Sequence, residues 1–575
     1  MFEIEANNRV IDAEPGETIL SALKRAGIKV PTLCHMNGLL PSGACRICVV
    51  EVEGMRGLIP SCSYPVQEGM KIQTNSPRAI KARKTIIELL LANHPDDCLY
   101  CVRNGNCQLQ DLAEEYGIRE RRFSGSKKNA HTIDNTSPSM VRDQAKCILC
   151  GKCVRICEEV QNVAAIDFVG RGSKTVIAPA FEQSLNVSSC INCGQCILAC
   201  PTGALREHSY LKEVNDALLS KEKYVVIQHA PAVSVSIAEE FGIKPGEDIN
   251  GLMVAAFRRL GFKKVFDTSF SADLTIMEEA SELVHRITTG GKLPMMTSCS
   301  PGWIKYVEQF YPDMTDNLST CKSPQQMLGA IIKSYFAEKE GIDPKDIYSV
   351  SVMPCTAKKF EAARPEMGRN NIYDIDAVLS TREAARLIKM FGIDFDSLTP
   401  EIADMPFGQR STAGKLFGAT GGVMEAAIRS AHYMITGKEL KTLKVEEVRG
   451  LADIKEAKLK IGDLNLGVAV VNGVGNAAKL LDEIRAGRDD IHFIEVMTCP
   501  GGCVAGGGQP QNTNQESIKA RLKALYNIDQ TESLRTSHSN KQVQDLYKDF
   551  LGEPLGEKSH DLLHTHYTKR GEVLL

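Results

Sequence analysis

The sequence predicts a multidomain protein of mixed α+β and α/β class, with small cysteine-bearing modules first, a large α/β domain next and a helical tail last. Three observations carry this. The chain has 575 residues, too many for one core, since single cores stop growing at roughly 250–300 residues. Fifteen of its twenty cysteines lie before residue 201 and five after it, so the two parts of the chain do different work. Beyond residue 210, the β-rich runs YVVIQ, KVFD, YSVSVMP, GVAVVNG and FIEVM alternate with helical segments such as EASELVHRIT and REAARLIKMF, the alternation of an α/β domain with largely parallel strands.

Residues 1–78 alternate apolar and polar positions in FEIEA, RVIDA and ICVVEVEG, and the stretch ETILSALKRAG has the spacing of an amphipathic helix ended by Gly27. This predicts a small α+β module of β-grasp type. Residues 79–125 turn helical (PRAIKARKTIIELLLANH, then NCQLQDLAEEYG), and the polar segment 124–138 predicts a linker into the module at 126–209. The α/β domain takes 210–535. Residues 536–575, polar and histidine-containing, predict helices wrapped on the main body.

A formal net charge of -3 with no block of one sign points away from nucleic acid and from anionic membranes as partners. No run of about 18 apolar residues occurs, and MFEIEANNRV is acidic where a signal peptide is basic. A cytoplasmic protein is expected. Its oligomeric state stays open, monomer included. In a reducing compartment, twenty cysteines with many CxxC steps favour shared metal over disulfides.

The runs Cys147-x2-Cys150-x2-Cys153-x3-Cys157 and Cys190-x2-Cys193-x2-Cys196-x3-Cys200-Pro201 have the rhythm of bacterial two-cluster ferredoxins, in which the fourth cysteine of each run serves the other cluster. One 4Fe-4S cluster is therefore expected on Cys147, Cys150, Cys153 and Cys200, and a second on Cys190, Cys193, Cys196 and Cys157. Zinc also accepts CxxC pairs, but the doubled rhythm favours cubanes. Cys34, Cys45, Cys48 and Cys62 are spaced much like a plant-type 2Fe-2S site with a longer first gap. His94, Cys98, Cys101 and Cys107 offer one imidazole and three thiolates, a set that zinc could use; its place between two iron–sulfur modules favours a third 4Fe-4S cluster.

The remaining cysteines are 299, 321, 355, 499 and 503. TSCSPGW around Cys299, MPCTAKKFEA around Cys355, and MTCPGGCVAGGGQP around Cys499 and Cys503 resemble the three signatures of the FeFe-hydrogenases, TSCCPxW, MPCxxKxxE and a Cys-x3-Cys run leading into GGGQP. FGATGGVMEAAIRSA and CKSPQQ also look like family segments, and the order of the cluster modules resembles the clostridial single-chain type over nearly the full chain.

The resemblance implies reversible formation of hydrogen from protons and electrons at an H-cluster, a 4Fe-4S cube joined to a two-iron subsite carrying carbon monoxide, cyanide and azadithiolate. Three accessory 4Fe-4S clusters and one 2Fe-2S cluster would feed it from a ferredoxin- or flavodoxin-type carrier, after loading by hydrogenase maturation proteins. Cys355, Cys499 and Cys503 match cube ligands, with Cys503 bridging to the two-iron subsite. Lys358 matches the donor to a cyanide, a metal-bound anion. Met353, Phe417 and Met497 match apolar wall residues. The glycines at 501, 502 and 506–508 would let backbone approach a bulky cofactor.

For protons, Cys299, Glu279, Ser319, Glu282 and Arg286 match the family's relay, and the spacing of 279, 282 and 286 puts them on one helix face. Without the resemblance, those three read as a surface ion pair and Met353, Phe417 and Met497 as core; Cys321 has no assigned partner and reads as an inert buried residue.

The sequence departs from the pattern at one place: the family's Cys-Cys is Cys299-Ser300 here. Two arrangements are open. Ser300 is an oxygen donor to the cube and Cys299 relays protons, or Cys299 is recruited to the cube and Ser300 or water relays them. A damaged or regulatory site is a third reading. The rival functions are a hydrogen sensor, a subunit of an electron-bifurcating NAD-linked hydrogenase, and an electron-transfer scaffold related to the large NADH dehydrogenase subunit. The motifs at 355 and 499–510 argue against the scaffold.

Overall fold

The computed structural model describes residues 1–125, 133–220, 222–511 and 513–570. Residues 126–132, most of the central part of the expected linker, lie outside them, as do the last five of the tail.

The N-terminal strands form as the alternation dictates. β1 (Phe2–Ala6), β2 (Arg9–Ala13), β3 (Val49–Val52), β4 (Ile59–Pro60) and β5 (Lys71–Gln73) make a five-stranded sheet of order β2-β1-β5-β3-β4. Helix α1 (Ile19–Arg25) lays Ile19, Leu20, Ala22 and Leu23 on that sheet, is capped by Thr18, and is followed by Gly27 at φ +75°. Ser76 caps α2 (Pro77–Ala92), whose Pro77 occupies the first turn, where a missing N–H does no harm. Arg83 on α2 is buried and donates to the carbonyls of Val49 and Thr74, fastening this helix to the sheet. Helix α3 (Gln108–Glu115) completes this part of the chain.

The cysteine-rich stretch that follows has little regular structure. Two short antiparallel pairs, Met140–Arg142 with Leu205–Glu207 and Asp167–Val169 with Val176–Ala178, frame its loops.

In the large domain the expected strands and helices all occur: β6 (Tyr224–His229), β7 (Lys264–Asp267), α4 (Thr268–Thr289), β8 (Met295–Met296), β9 (Ile347–Met353), β10 (Ala377–Ser380), β11 (Ile454–Ile461), β12 (Leu464–Asn472) and β13 (Phe493–Met497). They form two four-stranded sheets. The first, β7-β6-β9-β10, is parallel throughout; the second, β8-β13-β12-β11, is parallel except for the edge hairpin β11–β12. In open parallel sheets, sites form beyond the carboxyl ends of strands. Here β6 ends before Ala230, β8 before Cys299, β9 before Cys355 and β13 before Cys499, so both sheets deliver motif residues to one region.

The tail segments Lys541–Leu546, Tyr547–Leu551 and Glu557–Leu563 pack Val543, Leu546, Leu551, Leu562 and Leu563 against Phe270, Leu274, Phe336 and Phe407. Two polar ties fix the tail to α4: Tyr547 Oη donates to Glu278 at 2.5 Å, and His564 Nε2 lies 3.0 Å from the same carboxylate. Among the described residues, no helix is long and apolar enough to cross a membrane.

Candidate functional site: a chain of thiol clusters and a buried cavity

The structure brings the ferredoxin-type cysteines into two separate groups. Cys147, Cys150, Cys153 and Cys200 line one small cavity; Cys157, Cys190, Cys193 and Cys196 line another. The fourth cysteine of each run has thus crossed to the other run's cavity. Gly151 and Gly194, at φ +72° and +71°, make the sharp turns that let these cysteines converge. Cys34, Cys45, Cys48 and Cys62 gather on loops at one side of the N-terminal sheet: the Cys45 N–H donates to Cys34 Sγ at 3.5 Å, and Cys48 and Cys62 share a core cluster. His94 is buried, and its Nδ1 has no partner.

The His94–Cys107 segment abuts the one that carries Cys200. The Gln108 N–H, just after Cys107, donates to the Pro201 carbonyl, just after Cys200. A Cβ placed on Gly203 would lie 2.6 Å from Cys101 Sγ. The Cys190–Cys196 loop is held to the large domain by Thr356 Oγ1 donating to the Asn192 carbonyl (2.7 Å) and Gln195 Nε2 donating to the Ala505 carbonyl (2.9 Å).

In the large domain, Cys299, Ser300, Cys355, Cys503, Lys358, Met353, Phe417 and Met497 line one cavity of about 80 Å³ together with Ala230, Pro231 and Ala232. Cys499 is not among the residues lining that cavity and lies near Cys355 and Cys503 as well as Cys193 and Gln195. Burial pushes the thiols of Cys150, Cys157 and Cys503 up to about 12, so without metal they stay protonated. None of the twenty cysteines is paired in a disulfide.

Residues 223–507 match the iron only hydrogenase large subunit, C-terminal domain, and 515–570 the iron hydrogenase small subunit. Residues 1–77 match a 2Fe-2S iron-sulfur cluster binding domain, 83–122 the NADH-ubiquinone oxidoreductase-G iron-sulfur binding region, and 146–204 a 4Fe-4S dicluster domain. The chain is 49% identical to an NADP-reducing hydrogenase subunit of Solidesulfovibrio fructosivorans, over 99% of both chains. It is 42% identical to iron hydrogenase 1 of Clostridium pasteurianum, over 99% of this chain and 100% of that one. The chain belongs to the FeFe-hydrogenases. A solved apo FeFe-hydrogenase of Chlamydomonas reinhardtii superposes with a TM-score of 0.58 at 43% identity, covering 63% of this chain and 100% of its own.

In this FeFe-hydrogenase Glu279, Glu282 and Ser319 are buried and Cys299 and Arg286 are half-buried, so the reading of 279, 282 and 286 as a pair on the open surface does not hold. Arg286 Nη2 lies 2.6 Å from Glu282 Oε1, and Ser319 Oγ donates to Glu282 Oε2 at 2.8 Å. Neither carboxyl oxygen of Glu279 has a protein hydrogen-bond partner. Burial, then the Glu282 and Glu495 charges, push Glu279 up to about 8. Burial, then the charge of Glu279, hold the Cys299 thiol well above its ordinary value. Lys358 is no surface lysine: its Nζ donates to the Cys299 carbonyl (3.0 Å) and pairs with Glu361 (2.9 Å).

The glycines at 506–508 also accommodate neighbouring chain. A Cβ on Gly506 would meet the Pro354 carbonyl oxygen at 2.2 Å, and one on Gly507 the Cys193 carbonyl oxygen at 2.2 Å, so these glycines press the GGGQP turn against the segments that carry Cys355 and Cys193. Cys321 is buried, as expected; its Sγ reaches Glu282 at 3.8 Å and its N–H donates to Ser319 Oγ.

Sequence reasoning also missed three residues. Thr498 faces Ser300, with the two hydroxyls 2.7 Å apart. Glu361 accepts from Lys358, Ser323 and Gln325; it is the glutamate of MPCxxKxxE, so the motif itself contained the signal. His564, from the tail, bonds Thr320 beside the relay, and nothing local announces it.

The residues fit the metal groups the family implies. Buried thiols held protonated by desolvation need a metal to displace their protons. His94 Nδ1 is orphaned in the interior, and a soft sulfur set suits iron–sulfur binding.

Proposed function

We propose that this FeFe-hydrogenase binds its H-cluster in the cavity between Cys355, Cys503 and Cys299, with Cys355, Cys499 and Cys503 as cube ligands and Cys503 facing the two-iron subsite. The observation that carries the reading is the meeting of these motifs at the carboxyl ends of both sheets, with Cys499 near Cys193. When bound, the iron groups supply electron storage and the metal at which protons and hydrogen interconvert. The chain's own part is to exclude water, orient charge and move protons. Met353, Phe417 and Met497 keep the wall apolar; Lys358, fixed by Glu361, aims its ammonium into the cavity, where an anionic cyanide would accept from it.

Proton movement falls to Cys299, Glu279, Ser319, Glu282 and Arg286 in that order. Ser300 takes the fourth corner of the cube, and Cys299 keeps the relay. This is supported by Ser300 standing against Thr498, next to Cys499, while Glu279 is the foremost charge acting on Cys299.

The proposal extends to the modules: a β-grasp 2Fe-2S unit at 1–78, a small helical 4Fe-4S unit with one histidine and three cysteine ligands at 79–125, a two-cluster unit at 126–209, the catalytic domain at 210–535 and the tail at 536–575. Three accessory 4Fe-4S clusters and one 2Fe-2S cluster, with carbon monoxide, cyanide and azadithiolate on the two-iron subsite, follow the family. Cytoplasmic residence rests on the sequence alone, in which many CxxC steps favour shared metal over disulfides in a reducing compartment. The electron partner is a ferredoxin- or flavodoxin-type carrier. A second reading, a subunit of an NADP-linked assembly, is favoured by the full-length relative named as such a subunit.

Infrared spectra of the matured protein test the core of this. Bands of metal-bound carbon monoxide and cyanide, with hydrogen evolution from a reduced dye, are expected; their absence after maturation would sink it. Co-purification with flavin-bearing chains would favour the second reading of the partner.

A further inference from the structure

Beside the proton relay, side chains of three different chemistries converge. Glu282, Cys321 and His564 each offer one ligand atom, and these atoms all lie within 4.8 Å of one another. All three residues are buried. They come from three places in the chain: α4, the segment after β8, and the tail. Backbone contacts fix the meeting. The Lys322 N–H donates to the Leu563 carbonyl and the Thr565 N–H to the Thr320 carbonyl, both at 2.7 Å, so the tail lies along residues 320–322 in a short antiparallel bridge that sets Cys321 opposite His564. Ser298 Oγ and Tyr567 Oη both donate to the Cys321 carbonyl, at 2.6 and 3.4 Å.

Each side chain is held by contacts that leave one ligand atom to spare. Glu282 divides its oxygens: Oε1 pairs with Arg286 at 2.6 Å, while Oε2 lies 3.8 Å from Cys321 Sγ. Whichever ring nitrogen of His564 turns toward the group, the other keeps a partner, the Glu278 carboxylate 3.0 Å from Nε2 or Thr320 Oγ1 2.8 Å from Nδ1; such a second contact orients a metal-bound imidazole. Thiolate, imidazole and carboxylate are the ligand types of zinc, and bonds of about 2.0–2.3 Å put tetrahedral ligand atoms roughly 3.3–3.7 Å apart. The group therefore has to close by little more than about 1 Å to hold the ion. Binding releases the thiol proton, and the thiolate with the carboxylates of Glu278 and Glu282 then outweighs the single Arg286 cation. A fourth ligand is at hand in water or in the hydroxyls of Ser319 and Thr320, each 2.8 Å from one of the three side chains.

We propose that Glu282, Cys321 and His564 form a zinc site that closes the proton path when it is filled. The ion takes the Glu282 oxygen to which Ser319 Oγ donates, and a carboxylate committed to a dication no longer accepts protons near neutral pH. Because its ligands lie on α4, beside β8 and in the tail, the same ion also pins the tail to the large domain.

The closure rests on the relay assigned above; the ligand set does not, and the two are read separately. Matured protein is incubated with a small excess of zinc, desalted, and followed by metal content, zinc-edge X-ray absorption, thermal midpoint and hydrogen evolution. A single retained zinc per chain is expected, with one sulfur neighbour and the rest nitrogen and oxygen, unchanged iron, a raised midpoint, and turnover reduced by about tenfold or more until a chelator restores it. Cys321→Ser and His564→Gln replace ligands the relay does not use; both should keep their iron and their zinc-free turnover, retain no zinc through desalting, and escape the inhibition. The two changes lie in different segments, so if one variant loses its iron the other carries the test. No retained zinc in the parent would overturn the proposal, as would a site with two or more sulfur neighbours, or one retained equally by Cys321→Ser, since either would put the ion on other cysteines. Zinc bound through one sulfur with turnover unchanged would overturn the closure, and the turnover of Glu279→Gln tells whether the relay has failed with it.

Discussion

Replacing Glu279 with glutamine keeps the shape of the side chain and removes its proton chemistry, and the structure fixes two separate consequences. Glu279 is wholly buried, its oxygens lack protein partners, and its carboxyl is raised from the ordinary 4.5 to about 8. An acid raised on folding imposes no penalty below its unfolded value. Between 4.5 and 8 the unfolded chain ionises while the folded one does not, so folding stability falls as pH rises. At roughly 1.4 kcal/mol per pH unit, the whole span amounts to about 5 kcal/mol. Glu279→Gln lacks this slope, so its thermal midpoint, measured against pH by calorimetry, should equal or trail the parent's near pH 5 and gain on it steadily up to pH 8. Hydrogen evolution should move the other way, falling by about 10²–10⁴, the usual contribution of a positioned acid–base group. A midpoint difference that does not change with pH would refute the burial argument. A variant retaining a third or more of the parent's turnover would refute the relay.

Three further outcomes are expected. Ser300→Cys should slow the loss of iron to a chelator severalfold, since thiolate suits an iron–sulfur site better than a hydroxyl; an unchanged rate would mean that position 300 does not face the cube. Gly507→Ala would place a Cβ 2.2 Å from the Cys193 carbonyl oxygen and should destabilise by about 1–3 kcal/mol as the seam is forced apart, read as a lower melting midpoint; a midpoint like the parent's would show that the seam yields freely. Asp529, fully buried, accepts from Arg429, Arg449 and Thr412, and these partners hold its carboxyl below the usual carboxylate range. Asp529→Asn should therefore lose about 3–5 kcal/mol at pH 7, and the gap should close as pH drops below the ordinary aspartate value of 3.8 and the parent forfeits the same charge; a gap independent of pH would refute the ionic account.

What the sequence disclosed, and what it concealed, follows from the range of the interaction involved. The crossing of Cys157 and Cys200 was legible because ligand spacing is local and repeated. The strands were legible because each is a short apolar run. The partition into two sheets was not: Met295 of β8 pairs with Phe493 of β13, and no periodicity links segments so far apart. The glycines of GGGQP were legible as a motif but not as a seam, because the atoms they admit, the carbonyls of Pro354 and Cys193, belong to distant stretches of chain.

TSCSPGW held more local information than its cysteine. Pro301 opens the helix Pro301–Phe310, and a residue before proline is kept out of the helical region; Ser300 is accordingly extended, at φ -103° and ψ 102°. On extended backbone, neighbouring side chains leave on opposite sides. If Cys299 looks toward Glu279 on α4, Ser300 must look away from it, and the hydroxyl it meets is Thr498, the residue before Cys499. Exchanging the two roles would require turning the segment over against Pro301, against the buried Trp303, whose Nε1 donates to the Thr297 carbonyl, and against Lys358, which holds the Cys299 carbonyl. The proline thus bears on the two arrangements that composition left equal, and the extended Ser300 against Thr498 is in keeping with the proposed relay thiol at 299 beside a hydroxyl at 300.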